Sequence, residues 1–153
     1  MLSFLLWVQV VNAGDLVVPP FTPGSVSDFG PSERLAEETM SALASANIAF
    51  IPPSEVTRRG GEMVTTCADS PGCPAHIFEV FPSASLVLVG TTTWNEGRLD
   101  SEVRFYLRGD PSPIEIIQGE FRPEDSAMFG AEVASIADEI QSFGPQVLSL
   151  IHI

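Results

Sequence analysis

The sequence contains no lysine, and its seven basic residues are all arginines. They stand against 20 acidic residues, so the net charge at neutral pH is −13. Proteins that hold nucleic acid need clustered cations to neutralise phosphates, and this balance argues against a nucleic-acid partner. The lack of lysine also excludes the phosphate-binding loop GxxxxGK(S/T), whose lysine contacts the phosphates of a nucleotide.

Histidine and cysteine are also scarce, with two of each in the chain. Apart from His152 in the terminal segment, His76 is the one candidate histidine, and no nucleophile stands at a strand-to-helix turn, so a catalytic triad has no components. The acidic pairs at 37–38 and 124–125 fit solvated faces or first turns of helices better than acid–base pairs. We therefore expect no catalytic residues, no cofactor and a function other than enzymatic turnover.

No apolar run reaches the roughly 18 residues that a membrane span requires. Residues 1–11 are uncharged and mostly apolar, and Val11-Asn12-Ala13 fits a signal-peptidase site, although no basic residue precedes the apolar stretch. We interpret residues 1–13 as an export signal; the alternative is a buried first strand. No cysteine follows directly, so the segment is not a lipoprotein signal. The expected location is the periplasm or the outer membrane.

The two cysteines, Cys67 and Cys73, enclose a turn-forming stretch that can bring their Cα atoms to disulfide distance. In an exported protein a pair this close is most simply a disulfide, and closing so small a ring stabilises by about 2.4 kcal/mol. The alternative is a metal cluster that adds Asp69 and His76. Structural zinc sites favour closer cysteine spacing and a second pair, so we predict a disulfide and no metal.

The first half of the chain alternates between strand and helix patterns. Residues 15–21 predict a strand, residues 31–47 a helix capped by a left-handed Asn47, and residues 48–51 a buried strand. A short helical turn is expected over residues 54–59 and a further helix over residues 71–81. Such alternation is typical of a parallel βαβ crossover unit.

The second half predicts an antiparallel three-strand meander and a C-terminal helix. Residues 86–89 form a continuous apolar strand that residues 90–94 extend. Residues 99–108 alternate strictly, and residues 114–121 form a third strand with Gly119 as a candidate bulge. A helix begins at Asp125 or Ser126 and ends at residues 143–145. The predicted fold class is a single mixed α/β domain over residues 15–143.

The alternating strand predicts a polar face on which Arg104, Tyr106 and Arg108 lie together with Asp100 and Glu102. This mixture suits polar recognition around an aromatic anchor, although solvation alone would also account for the charges. We predict that Arg104, Tyr106 and Arg108 contact protein partners.

The last six residues, 148–153, read LSLIHI and match a translation of the transposon mosaic-end adapter used in sequencing libraries. We therefore interpret residues 144–153 as a disordered tail, of which 148–153 are an artefact. On this interpretation the native protein continues beyond the domain, and His152 carries no functional information.

The helix sequence ERLAEETMSALASAN precedes the strand IAFIPPSEV, a two-cysteine segment, the strand SLVLVGTTTW and the strands EVRFYL and IEIIQGEF. Over about residues 15–142 this order resembles the TolB N-terminal-like and CsgG-like bacterial envelope domains. The resemblance implies a non-enzymatic α/β domain that works in the periplasm or at the outer membrane by contacting envelope proteins. The sequence departs from both branches, since it has neither the lipid-accepting cysteine of the CsgG-like lipoproteins nor the propeller of TolB-like proteins. The alternative function is ligand or substrate recognition for a larger enzyme.

We expect the mature protein to begin at Gly14, because the uncharged apolar stretch ends in Val11-Asn12-Ala13. N-terminal sequencing of the protein exported from a bacterial host measures this directly. Material in the periplasmic fraction that retains Met1 would contradict the export signal.

Overall fold

The structure is a computed structural model that describes residues 15–151, with side chains described for all of these except Val26 and residues 143–151. The predicted export signal and residues 152–153 lie outside the described residues. Within them the strands are β1 (Asp15–Val17), β2 (Thr22–Pro23), β3 (Phe50–Ile51), β4 (Ala84–Asn95), β5 (Arg98–Leu107) and β6 (Glu115–Phe121). The α-helices are α1 (Phe29–Ser45), α2 (Pro53–Gly60), α3 (Cys73–Val80) and α4 (Ser126–Ile151).

The strands form a mixed sheet in the order β3-β1-β4-β5-β6, and β2 also pairs with β4. β1 is parallel to both of its neighbours, whereas β4, β5 and β6 are antiparallel. The connection from β1 to β3 passes through α1, and the connection from β3 to β4 passes through α2 and α3. The predicted mixed α/β class, with its crossover unit, meander and C-terminal helix, is confirmed.

Strand β4 is buried on both faces because helices pack on both sides of the sheet. Leu86 and Leu88 belong to one core cluster together with side chains of α1 and α4. Val87 and Val89 belong to the second cluster, to which α2 and α3 contribute. Successive side chains of a strand point to opposite faces, so a continuous apolar run supplies both cores.

Two prolines divide the first predicted strand. The ladder of β1 ends at Val17, and Pro19 and Pro20 have no backbone N–H to donate to a neighbouring strand. The chain returns to the same edge of β4 at β2, where Thr22 lies opposite Thr91. The segment between the predicted first strand and the predicted helix therefore begins with a short strand.

Helix α1 begins at Phe29, two positions before the predicted start. The buried carboxylate of Asp28 fixes this entry, because it accepts hydrogen bonds from the Trp94 N–H (2.8 Å) and from the Ser25 hydroxyl (2.9 Å). At the other end, Asn47 has a φ of 59°, the left-handed conformation that the sequence predicts for it.

The disulfide predicted between Cys67 and Cys73 is present in the structure, with Cα atoms 5.2 Å apart. It ties a 3-10 segment, Glu62–Asp69, to the first residue of α3. The Ala68 N–H in that segment donates to Thr22 Oγ1 at 3.2 Å, so the segment is also joined to β2. Both sulfur-bearing residues are buried in the second core cluster.

The predicted bulge at Gly119 is wrong. The β5–β6 ladder keeps its register through this position, and Ser101 lies directly opposite Gly119. A Cβ at Gly119 would lie 2.8 Å from the ring of Phe129, which stacks on Phe121 with a centroid distance of 5.0 Å. The glycine is therefore present because α4 packs closely against the sheet there.

The predicted end of the final helix at residues 143–145 is also wrong, since the backbone of α4 continues to Ile151. Proline removes one backbone hydrogen bond, but its fixed φ is close to the helical value, so helical backbone can continue after Pro145. The interpretation of residues 144–153 as a tail outside the fold, and of 148–153 as an adapter, stays a prediction.

We expect Gly90→Ala to lower the free energy of unfolding by about 1–3 kcal/mol, the usual cost of overpacking a core. A Cβ at Gly90 would lie 2.7 Å from ring atoms of the buried Phe21. Gly30→Ala is the control, because nothing lies within 4 Å of its Cβ position and alanine favours a helix. Urea denaturation compares the two variants, and equal losses would contradict the packing argument.

Candidate functional site

Helices cover only part of the sheet face that carries Tyr106. The cluster formed with α2 and α3 covers β1 and β4, whereas on β5 and β6 the same face carries exposed and half-buried side chains. We call this region the open sheet face. Its members are Asp100, Glu102, Arg104 and Tyr106 of β5 together with Ile116, Gln118 and Glu120 of β6.

Arg104 lies at the centre of the open sheet face and is held by two neighbours on its own strand. Its guanidinium donates to the Glu102 carboxylate at 3.1 Å and also interacts with the side chain of Tyr106. The pKa of Arg104 is raised above its ordinary value, mainly by the hydrogen bond with Glu102 and next by the side chain of Tyr106. Arg104 is therefore a cation that Glu102 holds on the open sheet face.

The aromatic and apolar members lie beside this cation. Tyr106 is half-buried and packs against the second core cluster with part of its side chain. Ile116 lies opposite Arg104 on β6 and is 46% exposed. The open sheet face thus combines a positioned cation, an aromatic ring and an exposed apolar side chain, which are the chemical groups of a polar protein interface.

Arg108 is directed away from the open sheet face. Its guanidinium donates to the carbonyl oxygens of Phe78, Phe81, Pro82 and Ala84 at distances between 2.9 and 3.1 Å. These carbonyls belong to the end of α3 and to the turn that leads into β4. The structure therefore brings Arg104 and Tyr106 together but gives Arg108 an anchoring contact, and a binding role for the three residues stays a prediction.

A second arginine reinforces this end of α3. The Arg59 guanidinium donates to the Val80 carbonyl at 2.9 Å and lies 4.3 Å from the centroid of the Phe81 ring. Cations are favourable at the C-terminal end of a helix, where unpaired carbonyls concentrate negative potential. Sequence reasoning missed both contacts, because no local pattern connects an arginine with carbonyls more than twenty positions away.

His76 occupies a structural position. Its Nε2 lies 2.9 Å from the Gly60 carbonyl oxygen, which joins α3 to the end of α2. In the part of the chain that the structure describes, no group of three or more His, Cys, Asp and Glu side chains is placed to hold a metal ion. Over the same residues, no helix has the length and apolar character needed to cross a membrane.

Sequence reasoning also missed a groove of about 370 Å³ at the carboxyl ends of β1 and β3, which we call the strand-end groove. Its floor is the stretch after β1 that contains Pro20, Phe21 and Pro23. One wall is a stripe of α1, and the other consists of the start of α2 together with Thr65. The sequence signal that could have found it is the proline pair after each of the two strands.

Two solved structures are similar to this fold. The lipoprotein GNA1162 from Neisseria meningitidis matches with a TM-score of 0.58 and 18% sequence identity, over 83% of this chain and 96% of that chain. The LpoB C-terminal domain from Salmonella enterica matches with a TM-score of 0.50 and 15% identity, over 78% of this chain and 91% of that chain. At these identities the likeness concerns the fold. No protein-family model and no curated sequence matches the chain.

We expect Arg108→Ala to lower the free energy of unfolding by about 1–3 kcal/mol, because charge-assisted hydrogen bonds to carbonyl oxygens are lost. Arg108→Lys should restore little of this, since one ammonium cannot replace a planar guanidinium that reaches four carbonyls. Arg34→Ala, at an exposed position on α1, is the control. Chemical denaturation that gives the same midpoint for all three variants would contradict the anchoring role.

Proposed function

We propose that this protein is an exported, non-enzymatic domain of the bacterial envelope that binds other envelope proteins through the open sheet face. On this proposal it is a TolB N-terminal-like or CsgG-like domain in the periplasm or at the outer membrane. Two observations support the location. The fold is similar to that of a bacterial lipoprotein, and the disulfide suits an oxidising compartment.

The observation that carries the proposal is the open sheet face itself. One face of an antiparallel sheet can remain solvated, and such a face normally carries polar side chains rather than large apolar ones. Here Ile116 is 46% exposed beside the positioned cation Arg104 and the ring of Tyr106. Interface centres are enriched in tyrosine and arginine, and a few such residues supply most of the binding energy.

Charge pairing on the open sheet face favours a protein partner over a highly charged polymer. Arg104 pairs with Glu102, and Arg98 pairs with Glu120 at 3.3 Å. Both cations are thus compensated within the chain, and Asp100 adds a negative charge. Such a surface offers directional hydrogen bonds rather than a strong field of one sign, which is the character of a specific protein contact.

The strand-end groove favours the second candidate function, recognition of a ligand or substrate for a larger enzyme. Its volume lies within the range of about 300–1,000 Å³ that is typical of ligand pockets. Its position also fits, because ligands of open α/β sheets bind outside the carboxyl ends of the parallel strands. The groove and the open sheet face share no residue, so the two functions are separable by mutation.

We expect a photo-crosslinking amino acid at Gln118 of the open sheet face to capture envelope proteins from a bacterial host, and one at the exposed Glu139 of α4 to capture none. In the Gln118 background, Tyr106→Ala and Ile116→Ser should reduce the crosslinked product several-fold, because both remove contact groups. Met63→Ser is the matched control, since Met63 is exposed to the same 46% as Ile116 and lies in the 3-10 segment.

Unchanged crosslinking in Tyr106→Ala and Ile116→Ser would contradict the open sheet face as the contact surface. Circular dichroism of each variant separates a lost contact from a lost fold. Hydrolysis or group transfer that copurifies with the isolated protein, and persists at constant specific activity, would contradict the non-enzymatic part of the proposal.

A further inference from the structure

The strand-end groove lies at the point where the chain leaves two adjacent parallel strands toward opposite faces of the sheet. After β1 the chain turns to α1, which packs in one core cluster, and after β3 it turns to α2, which packs in the other. The two connections diverge, and a crevice remains between them. In open α/β sheets this topological switch point is the usual place for a ligand.

Helix α1 presents a stripe to the groove that adjoins the stripe it buries in the core, and Ala36 belongs to both. Leu35 and Leu43 face the sheet, whereas Phe29, Glu33 and Met40 line the groove. These groove positions follow one another at intervals of three or four residues when Glu37 is included, which places them on one side of a helix. Phe29 is 57% exposed, so an apolar surface is left open at one end.

The length of this stripe fits a segment of polypeptide better than a small molecule. From Phe29 to Met40 the helix rises about 16 Å, at roughly 1.5 Å per residue. An extended chain covers that distance with about five residues, at roughly 3.3 Å each. Pro53, Ser54 and Thr57 of α2 line the groove opposite this stripe, together with Thr65.

The charges at the groove all have one sign. Glu33 and Glu37 stand one turn apart on α1, and both are exposed. None of the described residues that line the groove is basic: the nearest arginines in sequence are Arg34, outside the lining, and Arg58, which pairs with Glu55 on α2. A negatively charged segment is disfavoured there, and a positively charged one is attracted.

Two of the four hydroxyl groups that line the groove are engaged with carbonyl oxygens of the chain itself. The Ser32 hydroxyl donates to the Phe21 carbonyl at 3.2 Å, and the Thr65 hydroxyl donates to the Glu62 carbonyl at 2.7 Å. Apart from the hydroxyls of Ser54 and Thr57, the groove therefore offers apolar contact and negative charge for recognition. We infer that the strand-end groove binds an extended segment of a protein partner in which apolar side chains are flanked by lysine or arginine. This site is separate from the open sheet face, so the inference goes beyond the proposed function.

The test is a titration of the isotope-labelled, exported protein with two synthetic peptides, acetyl-KLFLK-amide and acetyl-ELFLE-amide, followed by NMR. We expect the first peptide to shift the amides of Phe29, Met40 and Thr57 and to bind at least tenfold more tightly than the second. Glu33→Gln/Glu37→Gln should weaken binding of KLFLK about tenfold and remove most of its salt dependence. Glu132→Gln/Glu139→Gln removes two exposed acids from α4 and should change nothing.

Three outcomes would overturn the inference: equal affinity for both peptides, no shifts at millimolar KLFLK, or shifts centred on another surface. Thr57→Trp, which fills the groove from its exposed wall, should abolish the shifts even if the glutamate variant loses stability. Tyr106→Ala should leave KLFLK binding intact. These variants thus distinguish a failure of the inferred peptide binding in the groove from a failure of the proposed protein contact at the open sheet face.

Discussion

The arrangement of the whole domain depends on the burial of β4 on both faces. A strand with apolar side chains on either side is stable in water only when both sides are covered. The parallel strands β1 and β2 occupy one edge of β4, and β5 occupies the other. The helices that cover β4 are divided between the two faces, and this division creates both functional candidates: the groove where connections diverge, and the open sheet face beyond the reach of α3.

The distribution of a few cations then decides the character of each surface. Arg59 and Arg108 are directed to the carbonyls at the end of α3, and Arg98 and Arg104 pair with acids of the β5–β6 region. The lining of the strand-end groove receives none of them. In a chain with 20 acidic residues and seven arginines, the charges of the open sheet face are thus largely paired, whereas the strand-end groove remains acidic. Charge asymmetry of this kind steers different partners to different sides of a small protein.

The sequence predicted those strands and helices whose residue pattern is set by burial of one face of the element. The strict alternation over residues 99–108 identified β5, and apolar side chains at helical spacing identified α1, because burial of one face imposes a period on the sequence. The 3-10 segment Glu62–Asp69 has no such period, and the sequence left it without a structure. Gly119 was misinterpreted because its neighbour, Phe129, comes from another element. The anchoring by Arg108 and the strand-end groove likewise arise from residues distant in sequence, so no pattern within one element could reveal them.

The position of β1 has a consequence for the order in which the domain can form. β1 is the first described strand, yet it lies inside the sheet between β3 and β4. Its Leu16 pairs with Leu86, about seventy positions later in the chain. A chain that emerges from its N-terminus can pair β1 with β3 early, but the other edge of β1 stays unpaired until β4 follows. Closing so long a loop is the slow step expected of non-local parallel pairing. The meander of β4, β5 and β6 is local and can form first, so that β1 docks onto a template that is already present.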